Sequence, residues 1–150
     1  MWQRKQTVFL ILAVVFCILC LSLPIATWMP QQLGTGSVVY NLGISNGDGT
    51  FSLKTLPLFI ILTLSATLAV VTIFLFKNRK LQKNLCSINI FLIVVWYIVF
   101  AAIGQPDTKS LEMRVGYAAC FPMAAVIFYF LARHGIVADE KLVRSTEHFR

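Results

Sequence analysis

Four long apolar stretches alternate with shorter polar ones along the chain. They cover residues 7–28, 57–76, 86–103 and 115–132, and none contains an aspartate, glutamate, lysine or arginine. Each is about 18–22 residues, enough at about 1.5 Å per residue to cross a hydrocarbon layer of roughly 30 Å. A segment in lipid must satisfy its own backbone, so each stretch predicts an α-helix. The expected fold is an all-α membrane protein: a four-transmembrane-helix bundle, with helices at about 7–28, 57–76, 86–103 and 115–133, in a single domain over residues 1–150.

The pattern changes between the first two stretches. Val38, Tyr40, Leu42 and Ile44 alternate with Val39, Asn41, Gly43 and Ser45; Phe51 and Leu53 then alternate with Thr50, Ser52 and Lys54. Two alternating runs around Asn46-Gly47-Asp48-Gly49 predict a small extracytoplasmic β-hairpin over about 37–54. A lone hairpin is marginal in water, so its apolar face is expected on the outer helix ends or against another chain. Asn46, Asp48 and Gly49 resemble part of a calcium loop, but one carboxylate cannot supply that coordination, and a turn is the expectation. Residues 134–150 should carry the fourth helix onward as a cytoplasmic tail. There Glu140 and Arg144 stand at i, i+4. Ile136, Leu142, Val143 and Phe149 give the tail a loose apolar face, which suits either a membrane surface or a partner.

Composition sharpens the class. Of the residues, 58% are hydrophobic and 13% charged, and mean hydropathy is +0.79; soluble domains run at about 45–50% and about 25%. That argues against a water-soluble core. Arg4 and Lys5 open the first stretch as they would a leader peptide, but its apolar part exceeds the usual length of roughly 7–15 residues. Pro24 also spoils the small-x-small pattern, so a retained helix is expected.

Charge then gives orientation. Arg4 and Lys5, then Lys77, Arg79, Lys80 and Lys83, then Arg133, Lys141, Arg144 and Arg150 put ten cations on one side; Lys54, Lys109 and Arg114 are on the other. Cations in short loops stay in the cytoplasm, so both termini are expected there, with 28–56 and 104–114 outside. The 77–83 segment reads as a loop touching anionic lipid head groups rather than a phosphate-ligand site. Nucleic acid is not an expected partner, because neither a recognition motif nor interleaved exposed aromatics occur.

Candidate chemistry is sparse. Cys17 and Cys20 form C-x-x-C inside the first helix, and thiol-to-quinone membrane enzymes would use such a pair. A thiol buried in lipid without a cation stays protonated and inert, however. Small-residue stripes explain the same positions: Ala13 with Cys17, Ser65 with Ala69, and Gly116 with Cys120 and Ala124. His134 and His148 lie far from the cysteines in sequence, so no metal site and no cofactor is expected. Asn89 is the intramembrane polar group most in need of a partner on another helix. Pro24 and Pro122 are expected to kink helices one and four. No catalytic set of acid, base and nucleophile is visible, and no broken-helix pair marks a transport site.

The motifs "QRKQTVFLILA", "VVYNLGI…DGTFSL", "FKNRKLQKNLC" and "ADEKLVRS…R", in this order, resemble the Bacteroidetes-type integral membrane family called domain of unknown function 4293. The resemblance spans essentially the whole chain and implies a bacterial inner-membrane protein of four helices, with no activity to carry over. Its recurring features here are Gln3, Arg4, Asn78, Arg79, Lys80, Leu81, Asp139, Lys141 and Arg144. The functional expectation is a non-enzymatic accessory or assembly protein that binds a membrane or cytoplasmic partner, or a second copy of itself. The candidate surface is Arg4, Lys77, Arg79, Lys80, Lys83, Lys141 and Arg144. A small-molecule or lipid transporter component is the second reading and a thiol/quinone oxidoreductase the third.

Overall fold

The computed structural model describes residues 2–103, 105–106 and 109–149, the side chains of residues 2–4 excepted. Arg150, counted above among the cations, lies outside the described residues. Four α-helices dominate: α1 (Trp2–Ser22), α2 (Leu56–Phe74), α3 (Arg79–Ile103) and α4 (Phe121–Glu147). All four are long and apolar enough to cross a membrane. Each packs against two neighbours, α1 on α2 and α4, and α3 on α2 and α4, so they close into a ring.

The seam of this ring repeats with a spacing of three and four residues. Buried positions on this spacing are Gln6, Leu10, Ala13, Cys17 and Cys20 in α1; Leu58, Leu62, Ser65, Ala69 and Thr72 in α2, with Ala66 buried beside them; Gln82, Cys86, Asn89, Ile93, Trp96 and Phe100 in α3; and Pro122, Ala125, Tyr129, Ala132 and Ile136 in α4. Alternating steps of three and four are the signature of left-handed, knobs-into-holes packing. The bundle is not apolar inside and polar outside. Val8, Ile11, Ile18, Ile60, Phe91, Ile98, Ile127 and Phe130 point outward, while alanine, cysteine and serine occupy much of the seam. Lipid would solvate the outer residues, and the small inner ones let the helices approach. Trp96 and Tyr129 are the largest fully buried side chains. Between α1 and α4 the rings of Phe9, Phe16, Phe121 and Phe128 meet with centroids 5.6–6.3 Å apart.

At one end of the bundle lies a five-stranded antiparallel sheet of order β4-β3-β2-β1-β5. The strands are β1 (Ala26–Pro30), β2 (Ser37–Val39), β3 (Ile44–Ser45), β4 (Phe51–Ser52) and β5 (Leu111–Val115). We call this the sheet end and the opposite one the basic end. Ile25, Ala26, Trp28, Val39 and Ile44 are buried with the helix seam, so the sheet rests on the helix ends, one of the two expected arrangements.

Several expected boundaries are corrected. The first helix stops at Ser22 rather than 28, because Pro24 has no N–H and disfavours helical backbone before it. Pro24 therefore ends a helix instead of kinking one, and residues 26–30 become the strand that pairs with both β2 and β5. The fourth helix starts at Phe121 rather than 115: Val115 closes β5, and a 3-10 turn over Tyr117–Cys120 follows. Pro122 sits in the first turn of α4, where its missing N–H costs nothing and no kink follows. The run 38–45 is not one strand. It folds back after Val39, with Tyr40 N–H donating to the Gly43 carbonyl at 2.8 Å. Only the second half of the expected hairpin keeps its form: β3 and β4 flank Asn46–Thr50, and Gly49 there has φ +80°. Its Asn46 side chain donates to Thr50 Oγ1 at 3.0 Å. Finally, α3 begins at Arg79 instead of 86, so Arg79, Lys80 and Lys83 lie on a helix and not in a loop. Asn78 starts it as N-cap, its Oδ1 accepting the Leu81 N–H at 3.4 Å.

Candidate functional site

The basic end holds the expected surface, but it divides the cations into two groups. Arg79 is half-buried and donates through Nη1 to the main-chain carbonyl of Asp139 on α4, 3.5 Å away. Lys83 reaches Glu140 at 3.4 Å, and Glu140 also receives Arg144 at 3.6 Å, the expected i, i+4 pair. These groups tie α3 to α4. Lys77, Lys80 and Lys141 are exposed and make no ion pair among the described residues; the Arg144 side chain remains 71% exposed despite its partner. Arg4 lies in α1, with its side chain outside the described residues. The candidate cations are therefore not equivalent: Arg79 and Lys83 face the neighbouring helix because the helical register that follows Asn78 turns them toward α4.

Two buried amides complete this end, and charge counting did not single them out. Gln6 Nε2 donates to Asp139 Oδ2 at 3.4 Å. Gln82 Nε2 donates to the Thr72 carbonyl at 3.3 Å, a group left open where α2 stops. A β-carbon on Gly135 would stand 3.1 Å from Gln6 Cγ, so a glycine lets α1 and α4 meet closely here. The signal for Gln6 and Gln82 was the seam spacing itself: Gln6 precedes Leu10 by four residues and Gln82 precedes Cys86 by four.

Deeper in the bundle every helix contributes one polar group. Ser65 of α2 donates its hydroxyl hydrogen to Asn89 Oδ1 of α3 at 3.1 Å, the interhelical partner expected for Asn89. Cys17 Sγ of α1 and the Tyr129 hydroxyl of α4 are 3.9 Å apart. Asn89 Nδ2 is buried and has no hydrogen-bond partner. Nearer the sheet end, Asn41 Nδ2 donates to the Cys20 carbonyl at 2.7 Å and Asn41 Oδ1 accepts from Trp96 Nε1 at 3.0 Å. The Cys20 carbonyl would ordinarily accept the N–H of residue 24. Proline has none, and the fully buried Asn41 replaces it.

The two cysteines of the C-x-x-C are thus both fully buried, Cys17 beside Tyr129 and Cys20 beneath Asn41. Ala13, Cys17, Ser65 and Ala69 form the small-residue seam as expected. The stripe of Gly116, Cys120 and Ala124 does not, since Gly116 precedes the 3-10 turn and Cys120 is exposed. Among the described residues no group of three or more His, Cys, Asp or Glu side chains could hold a metal ion.

The sequence model of one protein family, described as Domain of unknown function (DUF4293), matches residues 2–149. No curated protein matches the chain.

Proposed function

The chain belongs to the DUF4293 family, and from that premise we propose a multi-pass bacterial inner-membrane protein whose basic end faces the cytoplasm and docks an acidic protein partner. It acts as a non-enzymatic accessory or assembly factor. The observation that carries this reading is the division of cations at the basic end. Arg79 and Lys83 serve the α3–α4 contact, whereas Lys77, Lys80 and Lys141 are left exposed at the same end. Clustered cations of one sign attract an acidic surface and speed its encounter. The non-enzymatic part is supported by the bundle interior, where the buried hydroxyls, amides and thiols mostly bond one another or the backbone.

The test is affinity recovery from detergent-solubilised native membranes. A stoichiometric partner is expected with the wild type, lost with Lys77→Glu plus Lys80→Glu plus Lys141→Glu at unchanged insertion, and weakened by raised salt. A partner retained by the triple variant removes the basic end from the proposal.

A second reading, a small-molecule or lipid transporter component, draws on the polar groups of all four helices and the unpartnered Asn89 Nδ2. Substrate-dependent protection of an Asn89→Cys thiol from maleimide would support it over docking.

A further inference from the structure

Arg133 follows the apolar run from Phe121 to Ala132 in α4. It lies beside the seam positions Tyr129, Ala132 and Ile136, and its Nε is buried without a hydrogen-bond partner. The side chain borders a hollow of about 260 Å³ lined by Phe130, Arg133, His134 and Val137. These four stand at i, i+3, i+4 and i+7, so they share one helix face. Phe130 is 57% exposed, which puts the hollow on the outside of the bundle.

The carboxylates of α4 are directed elsewhere. Asp139 receives Gln6, and Glu140 is shared by Lys83 and Arg144. Glu147 is fourteen residues away, about 21 Å along the helix axis. A guanidinium drawn out of water needs an anion and acceptors for its fixed fork of donors. Arg133 is also seven residues, about 10 Å, closer to the bundle centre than Glu140. That places a cation where an apolar helix face gives way to the basic end, with an aromatic ring on its deeper side.

We infer that this hollow holds one anionic phospholipid. Its phosphate sits on Arg133 and His134, and an acyl chain runs past Phe130 toward the sheet end. Arginine matches phosphate oxygens with two parallel N–H donors. A lipid that lacks a compensating amine suits a hollow bordered by one permanent cation. The inference rests on the reading that the four helices cross a bilayer, but not on the partner proposed for the basic end.

Native mass spectrometry of the delipidated, full-length protein in detergent, offered equal phosphatidylglycerol and phosphatidylcholine, tests it. The wild type is expected to retain one phosphatidylglycerol under activation that strips phosphatidylcholine. Arg133→Gln should lose that adduct, Arg133→Lys should hold it more weakly than wild type, and Lys77→Gln plus Lys80→Gln should keep it. Unchanged retention by Arg133→Gln, or equal retention of both lipids, overturns the inference. So does displacement of the adduct by excess inorganic phosphate. If Arg133→Gln does not fold, Val137→Trp fills the hollow with the charge intact, and persistence of the adduct there is equally fatal. A wild type that stays soluble without detergent defeats the membrane reading itself, whereas a detergent-requiring protein without selective retention defeats only the lipid site.

Discussion

Asn41 shows how much one side chain can hold. It supplies the donor that Pro24 denies to Cys20 and the acceptor that Trp96 needs, joining the sheet end to α1 and α3. A buried polar group left unpaired costs about 1–3 kcal/mol. Asn41→Ala strands two such groups, so a loss of roughly 2–6 kcal/mol is expected on the same scale. Denaturant titration of the detergent-solubilised protein measures it, with Trp96→Phe as a milder control that strands only the Asn41 acceptor. Equal stability of Asn41→Ala and wild type would show that these bonds do not hold the sheet end. From the sequence alone Asn41 looked like one polar position in an alternating strand. Its true role depends on the backbone turning at Gly43, where a β-carbon would lie 2.4 Å from the Phe51 ring. No local pattern reveals that contact.

At the scale of elements, helix existence was legible and helix ends were not. A stretch of apolar residues long enough to cross lipid has one way to satisfy its backbone, which is why all four helices stand where composition placed them. Ends are set by particular groups instead: Pro24 for α1, the Asn78 cap for α3, and the strand pairing of residues 111–115 for α4. The strand β5 was missed because Leu111–Val115 pairs with β1, a partner remote in sequence. The α3–α4 contact at the basic end offers a test at this scale. Lys83 and Glu140 are partly exposed, with side-chain accessibilities of 31% and 21%, so their pair should be worth less than about 1 kcal/mol. Lys83→Glu is expected to loosen the last turns of α4, read as faster amide exchange over residues 137–147. Adding Glu140→Lys should restore most of the protection. Failure of the double variant to recover would mean that Arg79 and the seam, rather than this pair, fix the tail.

For the molecule as a whole, large apolar residues cover the outside of the bundle, while alanine, cysteine and serine take up much of the seam around a few large side chains such as Trp96 and Tyr129. This arrangement is what a lipid surround would favour, because there the solvent is as apolar as the core. It predicts that the protein needs detergent for extraction and aggregates when detergent is diluted away. The uneven cations predict its direction. In a Cys120→Ser background, Asp48→Cys should react with an impermeant maleimide on intact spheroplasts, and Ser145→Cys only after lysis. The opposite order would reverse the basic end and remove the cytoplasmic partner. The candidate surface was legible as charge, because charge asymmetry is written directly in the chain. Its division into helix-clamping and exposed cations was not, since that depends on which side of α3 meets α4.

The sheet also bears on the order in which the protein is made. Strand β1 leaves the ribosome directly after α1, yet one of its two neighbours, β5, follows only after α2 and α3. Until then one edge of β1 has open backbone groups, the kind of edge that invites pairing with a foreign strand. Trp96, the anchor for Asn41, also arrives only with α3. Completion of the sheet therefore reports that three helices are already in place, and a chain stalled before residue 111 should be handed to quality-control proteolysis with that edge still open.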